Sequence, residues 1–300
     1  NANTTASNNT AVGGSALYAN TTGTGLVAIG KSALAANTTA SYNVAVGVDS
    51  QVSTTTGASN VSVGYFSLDA NTTGASNTAL GHNSLSANTT ASNSTAVGKD
   101  ALISITTSGN NTAVGWSALT LNTGLNNTAV GAYALDTQTA AAGNVAVGMA
   151  AGNGITTGAG NTCVGLYALA TVTTGTNNTA MGSYSLYLST GGSNTAMGWG
   201  SLENNSTASN NTAVGRSALR NNTTGASNTA VGMNALVTNT TASNNTAVGM
   251  NALVTNTTAS NNTAVGTDAL KLSTGIENVA VGAAALDANT TGTNSTAVGY

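Results

Sequence analysis

The sequence predicts an all-β solenoid (a β-roll): about eighteen 17-residue coils stacked as an elongated rod. Three observations carry this expectation. One unit repeats along the whole chain, its residues are small or β-branched with no helical period, and its deletions fall at a single place. The unit reads N-T-A-V-G-x-x-A-L-x-x-N-T-T-G/A-x-x, and its Gly recurs eighteen times, from Gly13 to Gly299. Fourteen of the seventeen steps are 17 residues long and three are 16. The short steps begin at Gly115, Gly182 and Gly266, where Thr123-Gly124, Thr190-Gly191 and Thr274-Gly275 replace longer text. Connections tolerate deletion, so a turn is expected eight to twelve residues after each Gly.

Positions are counted below from the repeat Gly as zero. Alternation along a strand predicts two strands per coil. Before the Gly, Thr or Val at −3 and an aliphatic residue at −1 are expected to face inward, as for Thr112 and Val114 or Val44 and Val46. After it, Leu at +4 and Thr at +8 are expected to join them; Leu stands at +4 in fifteen of seventeen complete coils, with Gln51 and Gly152 the exceptions. By the same alternation −2 and +3 form a flat outer face of Ala, Ser and Cys163, suited to packing against another copy of the chain. Such a coil buries about three sizeable apolar side chains, worth roughly 2 kcal/mol each. Ordering its residues costs on the order of 1 kcal/mol apiece, so a coil folds only when stacked. Eighteen rungs at strand spacing give a rod of about 80 Å.

Asn occupies −4 in fifteen of eighteen copies, including Asn111, Asn161 and Asn262, and is expected to form an amide ladder from coil to coil. The invariant Gly is expected to supply a backbone conformation closed to other residues, or room for a close approach. Asn at +7 falls outward by alternation and opens an N-x-S/T sequon in nine coils. Asn20, Asn37, Asn71, Asn88, Asn205, Asn222, Asn239, Asn256 and Asn289 are therefore candidate N-glycan acceptors. Sugar there would supply solubility to a chain with only 4% charged residues.

Variation is concentrated at one corner. Twelve of thirteen charged residues and ten of eleven aromatics lie at +1, +2 or +5, with Glu277 and Tyr42 the exceptions. Tyr65, Phe66, Trp116, Tyr133, Tyr167, Tyr184 and Trp199 make this corner the candidate contact surface.

Catalytic and cofactor chemistry finds no support. His82 is the single histidine and Cys163 the single cysteine, so neither a zinc set nor a nucleophile–base pair can be assembled. The six Asp residues are scattered, with Asp49 and Asp69, or Asp268 and Asp287, on neighbouring coils and no calcium-type repeat. No phosphate-binding glycine loop occurs. The expectation is a non-enzyme without catalytic, cofactor-binding or metal residues. Five Lys plus Arg and a net charge of −3 argue against nucleic acid or anionic membrane as partner. No apolar run approaches the roughly eighteen residues of a membrane helix, so membrane insertion is not expected.

The motif N-T-A-V-G-x-x-A-L, as in Asn111 to Leu119 and Asn245 to Leu253, resembles the head repeats of trimeric autotransporter adhesins. It is also similar to the NTAIG/NTAVG repeat arrays of phage tail fibres and bacterial surface fibres. The resemblance covers essentially all 300 residues and implies left-handed β-roll coils. The adhesin head unit is shorter. The chain opens in a repeat tail, Asn3-Thr4-Thr5, and closes at Tyr300 without polar capping units. Residues 1–300 therefore read as one continuous array, a segment of a longer one or a piece that joins other copies.

The leading functional expectation is a structural extracellular fibre, in a filament or biofilm matrix, whose partners are copies of itself. Covalent glycans or a host surface are further partners to consider. The alternative is an adhesive or receptor-binding shaft of a virion tail fibre or cell-surface adhesin. Ice binding by Thr rows comes last, because alternation turns the regular Thr columns inward.

Overall fold

The computed structural model describes residues 4–300, so Asn3 at the start of the opening repeat tail lies outside it. The fold is an all-β solenoid of about 17 residues per turn, with eighteen parallel strands and, among the described residues, no helix. Two compact units divide the chain, one ending at Met149 and one beginning at Ala150. The first carries nine strands, β1 (Thr10–Val12) through β9 (Val145–Val147), and the second another nine, β10 (Thr162–Val164) through β18 (Thr296–Val298). Within each unit consecutive strands pair in register, as Thr95↔Thr112 and Val97↔Val114 in the first, and Thr212↔Thr229 and Val214↔Val231 in the second.

Each coil holds one strand of three residues where the sequence reading placed two. The reason lies in the backbone after the repeat Gly. Leu at +4 adopts left-handed geometry in every coil that has it (Leu34 φ 52°, Leu119 φ 54°, Leu253 φ 52°), and so does +2 (Ser32 φ 57°). Left-handed residues cannot extend a strand, yet their N–H groups still bond the adjacent coil. Leu34 N–H donates to Ser50 O at 3.1 Å and Ala36 N–H to Val52 O at 3.0 Å. The inter-coil ladder therefore continues through a segment that is not a strand.

This geometry reverses several inferred faces. Ala at −2 is the inward residue of the strand, fully buried at Ala96, Ala113, Ala213 and Ala264. Thr at −3 and the aliphatic residue at −1 point outward instead, as the exposed Val12, Ile29, Leu80 and Met181 make plain. Ala or Ser at +3 (Ala33, Ser84, Ala252) is buried too, so there is no outer flat face of −2 and +3 residues. Thr at +8 lies at the surface, its hydroxyl donating to the main chain of the next coil: Thr21 to Thr38 O at 2.9 Å, Thr223 to Thr240 O at 2.9 Å. With Thr at −3 outward, the ground for placing ice binding last is gone.

Inward residues recur at +3, +4, +7, +10, −4 and −2, a spacing of about three per wall after +4. The interior is narrow, and Leu at +4 fills most of it. Leu34 packs in one cluster with Leu17, Leu26, Ala28, Ala33 and Ala45. A β-branched side chain at −2 would collide with that row, so Ala takes the inner place and the β-branched residues the outer ones. Each typical coil thus buries one large apolar side chain rather than three, and two Asn columns complete the interior.

The Asn column at −4 forms the expected ladder. Asn60 N–H donates to Asn43 Oδ1 at 2.8 Å and Asn77 N–H to Asn60 Oδ1 at 2.9 Å; in the second unit Asn228 N–H donates to Asn211 Oδ1 at 2.9 Å. Most Nδ2 groups of this column also bond a carbonyl of the next coil, Asn43 to Gly57 O at 2.8 Å and Asn228 to Ala242 O at 2.8 Å. The repeat Gly meets both of its expected requirements. Gly98 has φ +135°, and a Cβ there would stand 2.4 Å from Gly115 O. The three deletions remove the exposed Thr at +9, and Gly124, Gly191 and Gly275 take the inward place that follows it.

Candidate contact surface

The nine sequon asparagines were expected outside. Eight of them are buried: Asn20, Asn37, Asn71, Asn88, Asn205, Asn222, Asn239 and Asn256; Asn289, in the last coil, is half-buried. Their amides form a second ladder. Asn88 Nδ2 donates to Asn71 Oδ1 at 3.0 Å and to Ala91 O at 3.2 Å. Asn239 Nδ2 does the same to Asn222 Oδ1 at 2.8 Å and Ala242 O at 3.0 Å. In these pairs both amide hydrogens are used, so a sugar on the eight buried asparagines would have to displace ladder bonds of the folded coil. Alternation failed here because the left-handed Leu, three residues earlier, changes the facing of everything after it.

The variable corner at +1, +2 and +5 does lie at the surface. Tyr65, Trp116 and Trp199 are exposed, whereas Phe66, Tyr133, Tyr167 and Tyr184 are half-buried at +2. Position +2 has φ near 55° throughout, which suits Asn, Asp and Gly; Phe66, Tyr133, Tyr167 and Tyr184 hold it against their own preference. Equivalent residues of successive coils stand one rung apart, close to the separation at which rings stack. Tyr65 accordingly stacks on His82 of the next coil at 5.6 Å, and within its own coil it contacts Phe66 with centroids 4.0 Å apart. Trp116 and Tyr133 meet at 4.8 Å. In the second unit Tyr167, Tyr184 and Tyr187 form one cluster, with Tyr184 5.7 Å from each of the other two.

The charged members of the corner pair locally. Lys99 contacts Asp100 at 2.6 Å, and Asn83 Nδ2 donates to the same carboxylate at 3.1 Å. Burial pushes that carboxyl upward, but these bonds and the Lys99 charge outweigh it and hold Asp100 below the ordinary range. Asp69 and Asp136, both at +5, are raised, chiefly by burial; one carboxylate oxygen of each is buried without a partner. Asp49 adds its charge to Asp69, which places that pair on adjoining coils as expected. Arg220 contacts Glu203 at 2.6 Å, and the guanidinium groups of Arg216 and Arg220 lie 5.5 and 5.2 Å from the centre of the Trp199 ring.

Cys163 replaces Ala at −2 and is fully buried; burial alone pushes its thiol up to about 12, so it stays protonated and packs as a small apolar side chain. Among the described residues no three His, Cys, Asp or Glu side chains gather as a metal site. Sequence reasoning missed the Arg216–Trp199–Arg220 group because Trp199 lies one coil before the two arginines, which stand at +1 and +5 of theirs. Their shared corner was the available signal. Compared with known proteins, the chain matches no protein-family model and no curated sequence.

Proposed function

We propose that the chain is a structural, extracellular fibre protein whose repetition is itself the function, and that its principal partners are copies of itself. The observation carrying this reading is that the recurring side-chain ladders of each coil are directed at its neighbours. Both Asn ladders, the Thr hydroxyls at +8 and the Gly approach are all satisfied one repeat away. No chemistry-bearing residue recurs with the same regularity. Such an arrangement gives length and resistance to unfolding by addition of identical parts. Where sugar is attached, it belongs on the exposed hydroxyls at +9, such as Thr22, Thr39, Thr73 and Thr90, and not on the sequon amides. Electron microscopy of material from the native source tests the reading: continuous thin filaments at the cell surface or in a matrix support it, and discrete particles sink it.

The exposed ring clusters favour a second reading, an adhesive shaft on a virion fibre or a cell-surface adhesin. Short projections on virions or cells, labelled by antibody to this chain, would separate it from the first. Ice binding by the outward Thr and Val columns is a further assay on the same material, and absence of thermal hysteresis closes it.

A further inference from the structure

We infer that the corner running from Tyr167 to Arg220 is a binding strip for a carboxylated polysaccharide, a chain of uronic-acid type. The inference rests on the adhesive reading only in needing this corner uncovered. Four successive coils, beginning at Gly165, Gly182, Gly198 and Gly215, contribute to the strip, which is about 15 Å long at strand spacing. The chain has eleven aromatics and five Lys plus Arg; four of the former and two of the latter gather here.

The parts divide by chemistry. Tyr167, Tyr184 and Tyr187 form a contiguous aromatic surface, and Trp199, 43% exposed, stands at +1 of the following coil against Arg216 and Arg220. Aromatic faces are electron-rich and attract the weakly positive C–H faces of sugar rings, as they attract cations. Arg220 is neutralised by Glu203. Arg216 has the Trp199 ring and no acidic partner among the described residues. Its guanidinium is held against the ring and keeps its donor fork for an incoming carboxylate. One free cation beside a row of rings fits a sparsely charged sugar chain. It does not fit nucleic acid, whose phosphate backbone needs a row of cations.

The 300-residue chain is tested by affinity electrophoresis through gels containing polygalacturonate, uncharged dextran or poly-glutamate. Retardation by polygalacturonate alone is expected. Arg216→Gln should weaken it about tenfold or more, the scale of one charge-assisted hydrogen bond. Trp199→Ala should weaken it too, with the circular dichroism spectrum of both variants unchanged. Lys31→Gln removes the same charge from the same +1 column in the first unit, outside the proposed strip, and should leave retardation intact. Equal loss in Lys31→Gln, equal retardation by dextran or poly-glutamate, or no retardation at all overturns the inference. The adhesive reading stands or falls separately on antibody labelling of cells or virions.

Discussion

Gln51 donates a hydrogen bond from Nε2 to the Ser62 hydroxyl at 2.8 Å, deep inside the first unit. Both are substitutions: Gln51 takes the place of Leu at +4, and Ser62 takes the place of Ala at −2 one coil later. Gln51 also donates to Val44 O at 2.9 Å, and Ser62 contacts the hydroxyl of Ser50, which itself meets Ser67 at 3.1 Å. A polar patch has replaced a piece of the Leu–Ala core, and Gln51 Oε1 remains buried without a partner.

These two changes should therefore be coupled. Ser62→Ala alone is expected to destabilise by about 1 kcal/mol, because it takes one bond from a buried amide. Gln51→Leu combined with Ser62→Ala restores the repeat and removes the orphan acceptor, and should exceed the wild type by about 1 kcal/mol or more. A double-mutant cycle on thermal unfolding measures the coupling, with about 0.5–1.5 kcal/mol expected for direct contact.

Thr54 interrupts the +7 ladder. It leaves Asn37 Oδ1 buried and unpartnered, while Asn71 Nδ2, which also donates to Gly74 O at 3.0 Å, meets the Thr54 hydroxyl at 3.3 Å in place of a ladder amide. Thr54→Asn would supply a donor to Asn37 and an amide acceptor to Asn71. Stabilisation of about 1 kcal/mol is expected. Slower amide exchange in the coils holding residues 37, 54 and 71 checks it; unchanged or faster exchange contradicts the ladder.

Gly98→Ala combines a left-handed φ with a Cβ 2.4 Å from a carbonyl oxygen of the next coil. Neither backbone can yield without parting the ladder. A loss of at least about 3 kcal/mol is expected, felt most in the coils on either side. Protection from amide exchange should fall around residues 98 and 115 first. Gly14→Ala, with nothing within 4 Å of the added methyl, is the control and should change little.

Asp69 gives a pH signature. Burial raises its carboxyl above the usual 3.8, so the folded coil holds the proton more firmly than the unfolded chain. Its contribution favours folding below 3.8 and is lost as pH rises through the raised value. Asp69→Asn removes this dependence. The variant should melt higher than wild type at neutral pH, with the difference shrinking on acidification. A difference that grows on acidification would contradict the sign.

The sequence made the period, the Gly approach, the −4 ladder, the deletable turn and the variable corner legible, because each depends only on what recurs and where. Facing was another matter. Alternation holds only while φ stays in the extended region, and nothing in the identity of Leu34 announces that it is left-handed. Once it is, Asn37 turns inward and Thr38 outward. The Thr/Val exchange at −3 was a fair sign of a β-branched place but said nothing about the wall it stood on; the inner place belonged to Ala45. Of the Gln51–Ser62 pair only Gln51 stood out as an exception, and the columns of the two were placed on opposite faces.

The fifteen left-handed leucines have a consequence for how such a chain is made. Left to itself, a leucine avoids that conformation by about 1 kcal/mol or more. A coil with Leu at +4 is therefore not encoded by its local preferences, and such a repeat has little reason to adopt its final path until a finished neighbour offers the matching donors and acceptors. Assembly becomes a copying process, in which an existing surface serves as the mould for the next layer. A chain built this way is slow to start and quick to extend.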